Sequence, residues 1–401
     1  MSGKWPGGFI TKLAPTVVGP VDGEGGTASG IWTLDQVADY EEQGLWPMPI
    51  LSRELYSMGR NDQGQLGDGS ITNRNSPVQV GALVTWDKVA GGSKHGASVK
   101  TDGTLWTWGY NAYGELGLGN QTAYSSPKQV GALTTWSKIA CGGEFTLTVK
   151  TDGTLWTWGR NSMGCLGLGN VTYYSSPKQV GALTTWSDVA GGDTHTAAIK
   201  TDGTIWTWGN GGNGRLGLGN TTHYSSPKQV GALTTWSKIA CGQIHTIATQ
   251  TDGTIWTWGY NAFGQLGQGN TTDYSSPVQV GALTTWLQVS GGYHSASVKT
   301  DGTLWAWGMN DKGELGQGNT TYYSSPVQVG ALTTWDAVSS GTEHIIATQT
   351  DGTLWGIGRN DFGQLGIGDV LSKSSPVQVG ALTTWSIISC GWWSSYVTTK
   401  D

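Results

Sequence analysis

Residues 101–117 read Thr-Asp-Gly-Thr-Leu-Trp-Thr-Trp-Gly-Tyr-Asn-Ala-Tyr-Gly-Glu-Leu-Gly. Asp102-Gly103 is a tight-hairpin signal, and Leu105 to Trp108 beyond it has the apolar, β-branched and aromatic makeup of a strand. The opening four residues return at Thr151, Thr201, Thr251, Thr300 and Thr350, a period of 50 residues with one step of 49. The glycine-rich part, G-x-N-x-x-G-x-L-G, starts at Gly59, Gly109, Gly159, Gly259, Gly308 and Gly358, with Gly211 replacing the asparagine in a variant at Gly209. A third marker, S-P-x-Q-V-G-A-L-x-T-W, ends at Trp86, Trp136, Trp186, Trp236, Trp286, Trp335 and Trp385. Such a period means a repeat architecture.

Within one unit, Trp136 to Cys141, Thr146 to Lys150, Leu155 to Trp158 and Pro177 to Val180 are strand-length runs, and none has a 3.6-residue period. Four antiparallel strands in ~50 residues bury too little alone, and a tandem array of such units closes into a β-propeller. The sequence therefore predicts an all-β, seven-bladed β-propeller over residues 55–401. Leu55-Tyr56-Ser57-Met58-Gly59 aligns with Leu105 to Gly109 but lacks a preceding Asp-Gly-Thr, whereas Asp401 aligns with Asp152. Strands from both ends should share one blade, a clasp that removes open sheet edges. Residues 1–54 are expected to form an extended N-terminal arm, with a short helix from Thr33 as N-cap to Gly44 as stop.

Composition excludes several classes. The 65 glycines in 401 residues follow no three-residue period, which rules out collagen, and 23 tryptophans with 12% charged residues rule out a disordered chain. A net charge of −6 lacks the basic footprint of a nucleic-acid binder. No run approaches 18 apolar residues, and Met1 to Leu13 has no apolar core of a secretion signal. Cys141, Cys165, Cys241 and Cys390 are too few and too far apart for a disulfide framework or a zinc site.

The run Leu105-Trp106-Thr107-Trp108-Gly109 through Gly117, followed downstream by a glycine and a histidine before an apolar strand, resembles the repeat of the regulator-of-chromosome-condensation family. The resemblance covers residues 55–401 and implies the seven-bladed fold. The founding member's nucleotide exchange on a small GTPase relies on a blade insertion and a basic tail, and this chain has near-equal repeats and no basic tail. Other members are binding proteins, including bacterial inhibitors of β-lactamase. Ala28-Ser29-Gly30-Ile31-Trp32-Thr33-Leu34-Asp35-Gln36, ending at Leu45-Trp46-Pro47, is similar to a short module of structural proteins of marine tailed bacteriophages.

Five of the six histidines, His95, His195, His245, His294 and His344, hold one repeat slot, with Phe145 and Ser394 in the other two copies. One histidine per blade spreads them around a ring, so they read as structural, each bonding neighbouring backbone. His223 lies in a loop without an identifiable partner. No catalytic residue, metal site or cofactor is expected; nucleophile-elbow, phosphate-loop and zinc-helix motifs are all missing from the sequence.

Strand direction places the Thr-Asp-Gly-Thr turns and Gly-Ala-Leu-Thr-Thr links on one, nearly constant face. The G-x-N-x-x-G loops belong to the other, which varies: Tyr110, Tyr113, Arg160, Met163, Tyr260, Phe263, Lys312, Arg359, Phe362, Trp392 and Trp393 are its candidate binding residues. Aromatics with few charges suit protein hot spots or stacking on sugar rings. Trp5, Trp32, Leu34 and Trp46 are candidate anchor residues of the arm. The expected function is a non-enzymatic tail or capsid appendage of a tailed bacteriophage, located in the virion. Its arm would hold other virion proteins, and its propeller would meet a host-surface protein or glycan, with neither nucleic-acid binding nor membrane insertion. The alternative is a free bacterial inhibitor or docking propeller, in the cytoplasm or at the cell surface; a GTPase exchange factor fits least.

Overall fold

The computed structural model describes residues 53–400. The first strands are β1 (Leu55–Gly59) and β2 (Arg74–Gln79), followed by β3 (Trp86–Gly91), β4 (His95–Lys100), β5 (Leu105–Gly109) and β6 (Tyr124–Gln129). β3 to β6 form blade 1, an antiparallel sheet in sequence order, and five further blades of the same order follow to β26 (Lys373–Gln378). Blade 7 has the order β2-β1-β28-β27, with β27 at Trp385–Cys390 and β28 at Ser394–Thr399. The expected seven-bladed propeller and its shared blade are both present: Leu55 pairs with Thr398, and Gly59 with Ser394. The bonding starts slightly before the expected boundary, since Arg53 pairs with Asp87 at 2.7 Å and Glu54 N–H donates to Thr399 Oγ1 at 3.1 Å. The arm and its helix at Thr33 to Gly44 lie outside the described residues.

The turn at 101–104 shows why its four residues recur. Asp102 Oδ1 accepts the Thr104 N–H at 2.9 Å and the Thr104 hydroxyl at 2.6 Å, and that hydroxyl accepts Trp106 Nε1–H at 2.9 Å. Gly103 has φ +75°, and a Cβ there would sit 2.1 Å from the Thr134 carbonyl oxygen, so both conformation and space demand glycine. The outermost strand of blade 2, Tyr174–Gln179, starts before the expected Pro177 and carries a bulge between Tyr174 and Lys178. A proline is tolerated there because an edge strand leaves one row of N–H groups unpaired.

The core lies between the sheets. Leu147, Val149 and Leu155 of blade 2 pack against Trp186, Val189, Ala198 and Trp208 of blade 3. Within each blade, the tryptophan opening the innermost strand meets the third strand edge to face: Trp86 lies 6.3 Å from Trp106 and 6.1 Å from Trp108. The repeated tryptophan pairs are thus packing residues; Trp108 is fully buried and Trp106 half-buried. Among the described residues, no helix is long and apolar enough to cross a membrane.

Candidate binding face

The loops after the third strands are built by their asparagine. Asn111, fully buried, accepts the Leu116 N–H at 2.9 Å through Oδ1, while its Nδ2 donates to the carbonyls of Asn120 and Thr122 at 3.1 and 2.9 Å. Gly114, at φ +87°, would place a Cβ 2.4 Å from Ser175 Cα of blade 2, so the loop rests directly on its neighbour's outer strand. Tyr110 N–H donates to the Lys94 carbonyl at 2.8 Å, which brings the two loop series together on one face. The turns and links meet on the opposite face, where Trp136 N–H donates to the Gly103 carbonyl at 3.2 Å.

At the centre of the loop face a hoop of backbone hydrogen bonds passes through every blade. Ser93 N–H donates to Gly143 at 3.0 Å, Gly143 to Gly192 at 3.0 Å, Asp193 to Gln243 at 3.2 Å and Gln243 to Gly292 at 3.0 Å. Tyr293 continues to Thr342 at 3.0 Å, Thr342 to Trp392 at 3.2 Å, and Trp392 closes the circle on Gly92 at 3.1 Å. The axial space beneath is about 70 Å³, lined mostly by glycines, with Cys141, Cys241, Cys390, Gln243, Ser340 and Trp392.

Around this hoop the variable side chains gather into three clusters. In the first, Tyr113 meets Tyr110 at 6.3 Å and Tyr173 at 5.4 Å, with Arg160 over its ring at 5.5 Å. In the second, Phe263 meets Tyr260, Tyr322 and Tyr293 at 5.7, 5.8 and 6.1 Å. In the third, Trp393 lies 5.8 Å from Trp392 and 6.4 Å from Phe362, with Arg60 over Trp393 at 4.9 Å and Arg359 over Phe362 at 5.7 Å. Nine of the expected loop residues thus meet in clusters, whereas Met163 and Lys312 stand exposed outside them. Acids neutralise the guanidinium groups: Glu144 holds Arg160 at 2.5 Å, and Glu343 and Asp361 hold Arg359 at 2.8 and 2.9 Å. Burial, followed by the hydrogen bond to Asp311, pushes the Tyr322 hydroxyl up to about 12.

Sequence reading missed Arg60, Tyr173, Tyr293 and Tyr322. Tyr173 and Tyr322 share the slot of His223, a freely varying position of this turn, and that variation was the available signal. His223 itself has a partner after all: Gly211 N–H donates to its Nδ1 at 3.0 Å. The equivalent Asp273 accepts Asn261 N–H at 2.8 Å in the next blade.

The five repeated histidines are fully or almost fully buried, and their partners correct the expectation of backbone bonding. His95 and His195 face the hydroxyls of Thr146 and Thr246 at 3.0 and 3.1 Å. His245 and His344 face those of Ser295 and Ser395, each at 2.9 Å. Every partner belongs to the next blade. His294 has no such partner, because Ile345 occupies the hydroxyl's position. At the clasp seam, where Ser394 and Gly96 replace histidine and hydroxyl, Tyr396 donates to the Gln65 carbonyl at 2.7 Å instead. Cys141, Cys241 and Cys390 are half-buried and bond carbonyls of the preceding blade at 3.6, 3.6 and 3.3 Å; burial pushes their thiols up to about 12. Among the described residues, no three histidine, cysteine or acidic side chains are grouped to hold a metal.

The turn face has its own pattern. Leu83, Leu133, Leu183, Leu233, Leu283, Leu332 and Leu382, one per repeat, are 40–51% exposed. Leu183 and Leu233 border grooves of about 380 and 400 Å³ between neighbouring blades, each with a tryptophan pair and a proline in its wall.

Comparison with known proteins agrees with this architecture. Human WBSCR16 superposes with a TM-score of 0.80 at 21% identity, covering 87% of this chain and 99% of the other. Prp20p of Saccharomyces cerevisiae, studied for its binding to Gsp1p and histones, gives a TM-score of 0.78 at 20% identity, covering 91% and 94%. No curated protein matches the chain by sequence. Models of the regulator of chromosome condensation (RCC1) repeat match residues 54–99 and 102–149, and an RCC1-like domain model matches residues 175–401. With more than half of its length matched by that domain model, the chain belongs to the RCC1-like family.

Proposed function

We propose that this chain is a non-enzymatic binding protein, carried as a structural or appendage component of a tailed-bacteriophage virion. Residues 1–54 anchor it to other virion proteins, and the loop face meets a host-surface protein or glycan. The binding reading is carried by one observation: on a scaffold of nearly identical repeats, the residues that differ gather into aromatic and arginine clusters on one face. Tyrosine, tryptophan and arginine are the side chains that dominate recognition energies. The virion element is supported by the leader motif around Trp32 and Trp46. The exposed leucine of every link gives the turn face a repeated apolar contact suited to a larger assembly.

Mass spectrometry of particles purified from the source culture tests the first element, and stoichiometric presence is expected. Adsorption of particles carrying Tyr113→Ala, Phe263→Ala or Trp393→Ala tests the second. Unchanged adsorption in all three would remove the loop face as the contact surface.

A further inference from the structure

Six arginines occur in the chain, and five of them, Arg53, Arg60, Arg74, Arg160 and Arg359, hold a carboxylate at 2.5–2.9 Å. Among the described residues Arg215 alone has no ion pair, although it is the most deeply buried of them at 6% exposure. Its Nε donates to the Gly212 carbonyl at 2.9 Å and one terminal nitrogen to Asn213 Oδ1 at 3.3 Å, both neutral acceptors. A guanidinium stays charged in proteins, so a buried one with no carboxylate in direct contact is an expensive arrangement.

The repeat shows that this charge is not needed to build the loop. Equivalent positions hold Gln65, Glu115, Cys165, Gln265, Glu314 and Gln364. Gln65, Gln265 and Gln364 each accept a backbone N–H of their own loop, at 2.8–3.0 Å, and stay neutral. In blade 3 the loop is also built differently: Gly211 replaces the asparagine and lies so close to Thr222 that a Cβ there would sit 1.9 Å from its carbonyl oxygen, and Gly212 has no side chain beside the Arg215 guanidinium.

The surroundings supply complementary groups. Asp193 and Asp273 act on Arg215 electrostatically, but neither lies within 4 Å of it. Asp273 is committed to Asn261 N–H at 2.8 Å and Asn213 Nδ2 at 2.9 Å. The Asp193 carboxylate has no hydrogen-bond donor among the described residues, and burial holds it above the usual range. Asp193 is also in electrostatic reach of Tyr293, whose ring packs on Phe263 in the second cluster.

Resting on the reading of the loop face as a binding surface, we propose that blade 3 holds a subsite for a carboxylated saccharide. Arg215 takes the sugar carboxylate in a charge-assisted pair, Asp193 accepts sugar hydroxyls, and the aromatic group at Tyr293 flanks the ring. A neutral ligand would leave the guanidinium as it stands, unpaired. An acidic peptide would offer backbone N–H groups to Asp193, whereas a sugar brings hydroxyls together with a ring face for the aromatic group at Tyr293.

Calorimetric titration of the full chain with an oligogalacturonate and an oligosialate, each beside its methyl ester, tests the assignment. At least one acidic oligomer should bind, with its ester at least tenfold weaker. Arg215→Gln, which installs the residue of three other repeats, should lose at least tenfold in affinity while melting no lower than the parent. Equal binding of acid and ester, equal binding by the Arg215→Gln chain, or no binding of either acid overturns the subsite. If particle adsorption still depends on Phe263 and Trp393 in that event, the loop face stands and only the acidic-sugar assignment falls; if it depends on neither, the wider reading falls with it.

Discussion

His95 of blade 1 and Thr146 of blade 2 meet at 3.0 Å, Nε2 to Oγ1, and the same hydroxyl lies 2.8 Å from the Glu115 carbonyl. The hydroxyl has one proton, which goes to the carbonyl, so His95 must donate through Nε2–H. Each blade boundary of this kind therefore carries a relay from imidazole to hydroxyl to the preceding loop, and Trp158 Nε1 adds a second donor to the Glu115 carbonyl at 2.8 Å.

Breaking the relay should cost stability in proportion to what is left unpaired. Thr146→Val strands the His95 N–H and removes a donor from the Glu115 carbonyl, an expected loss of about 1–3 kcal/mol in urea unfolding. The boundary at His294 gives the reciprocal case. Ile345→Thr should come out within about 1 kcal/mol of the parent, because the new hydroxyl reaches an imidazole that now has no acceptor. A loss as large as that of Thr146→Val would contradict the relay.

Acid should unfold the propeller through these histidines. Burial holds His95 at about 4, His245, His294 and His344 at about 3, and His195 well below its usual value. The unfolded chain takes up these protons near pH 6.5, so stability is complete above that pH and falls as pH drops below it. Burial pushes Glu115 and Glu314 up to about 7, and they work in the opposite sense, favouring the folded state as pH falls from 7 toward 4.5. Five histidines outweigh two glutamates. The expected net loss is roughly 3–4 kcal/mol per pH unit around pH 5.5, read from urea midpoints across pH 7.5 to 5.

Glu115→Gln separates the two contributions. Glutamine already serves at Gln65 and Gln265, where the same oxygen accepts the loop N–H, and Glu115 Oε1 is buried without a partner. At pH 8 the substitution should stabilise the protein by about 3 kcal/mol, the cost of holding a carboxylate whose folded value is near 7. At pH 4.5 the gain should vanish. A gain independent of pH would mean that the carboxyl is not buried as described.

Leu183→Ser combined with Leu233→Ser should lower the melting temperature by no more than about 2 °C, because both side chains are 47% exposed. Binding of a hydrophobic dye should fall. If the leucine ring contacts the particle, incorporation should fall while loop-face binding is untouched.

Repeat, blade number and shared blade were legible because each is a relation within one strand or between identical markers. The residues that meet on the loop face were mostly legible too, since variation against a constant background marks them, as at Tyr113 and Phe263. The histidine partner was not, because it sits in the following repeat: reading one repeat shows His95 but not that Thr146 answers it across 51 positions. Arg215 stayed hidden for a related reason. The sequence shows a substitution in a varied slot, and only the packed loop reveals that no carboxylate reaches it.

The shared blade also bears on how such a gene can evolve. Its two halves, β1 and β2 from one end and β27 and β28 from the other, lie outside the interior 50-residue blocks. Unequal crossing-over between near-identical blocks would delete or add a whole wedge and leave both halves of the closure intact. Blade number is then held by the angle each wedge subtends at the hoop from Ser93 to Trp392, not by the joint that seals the circle.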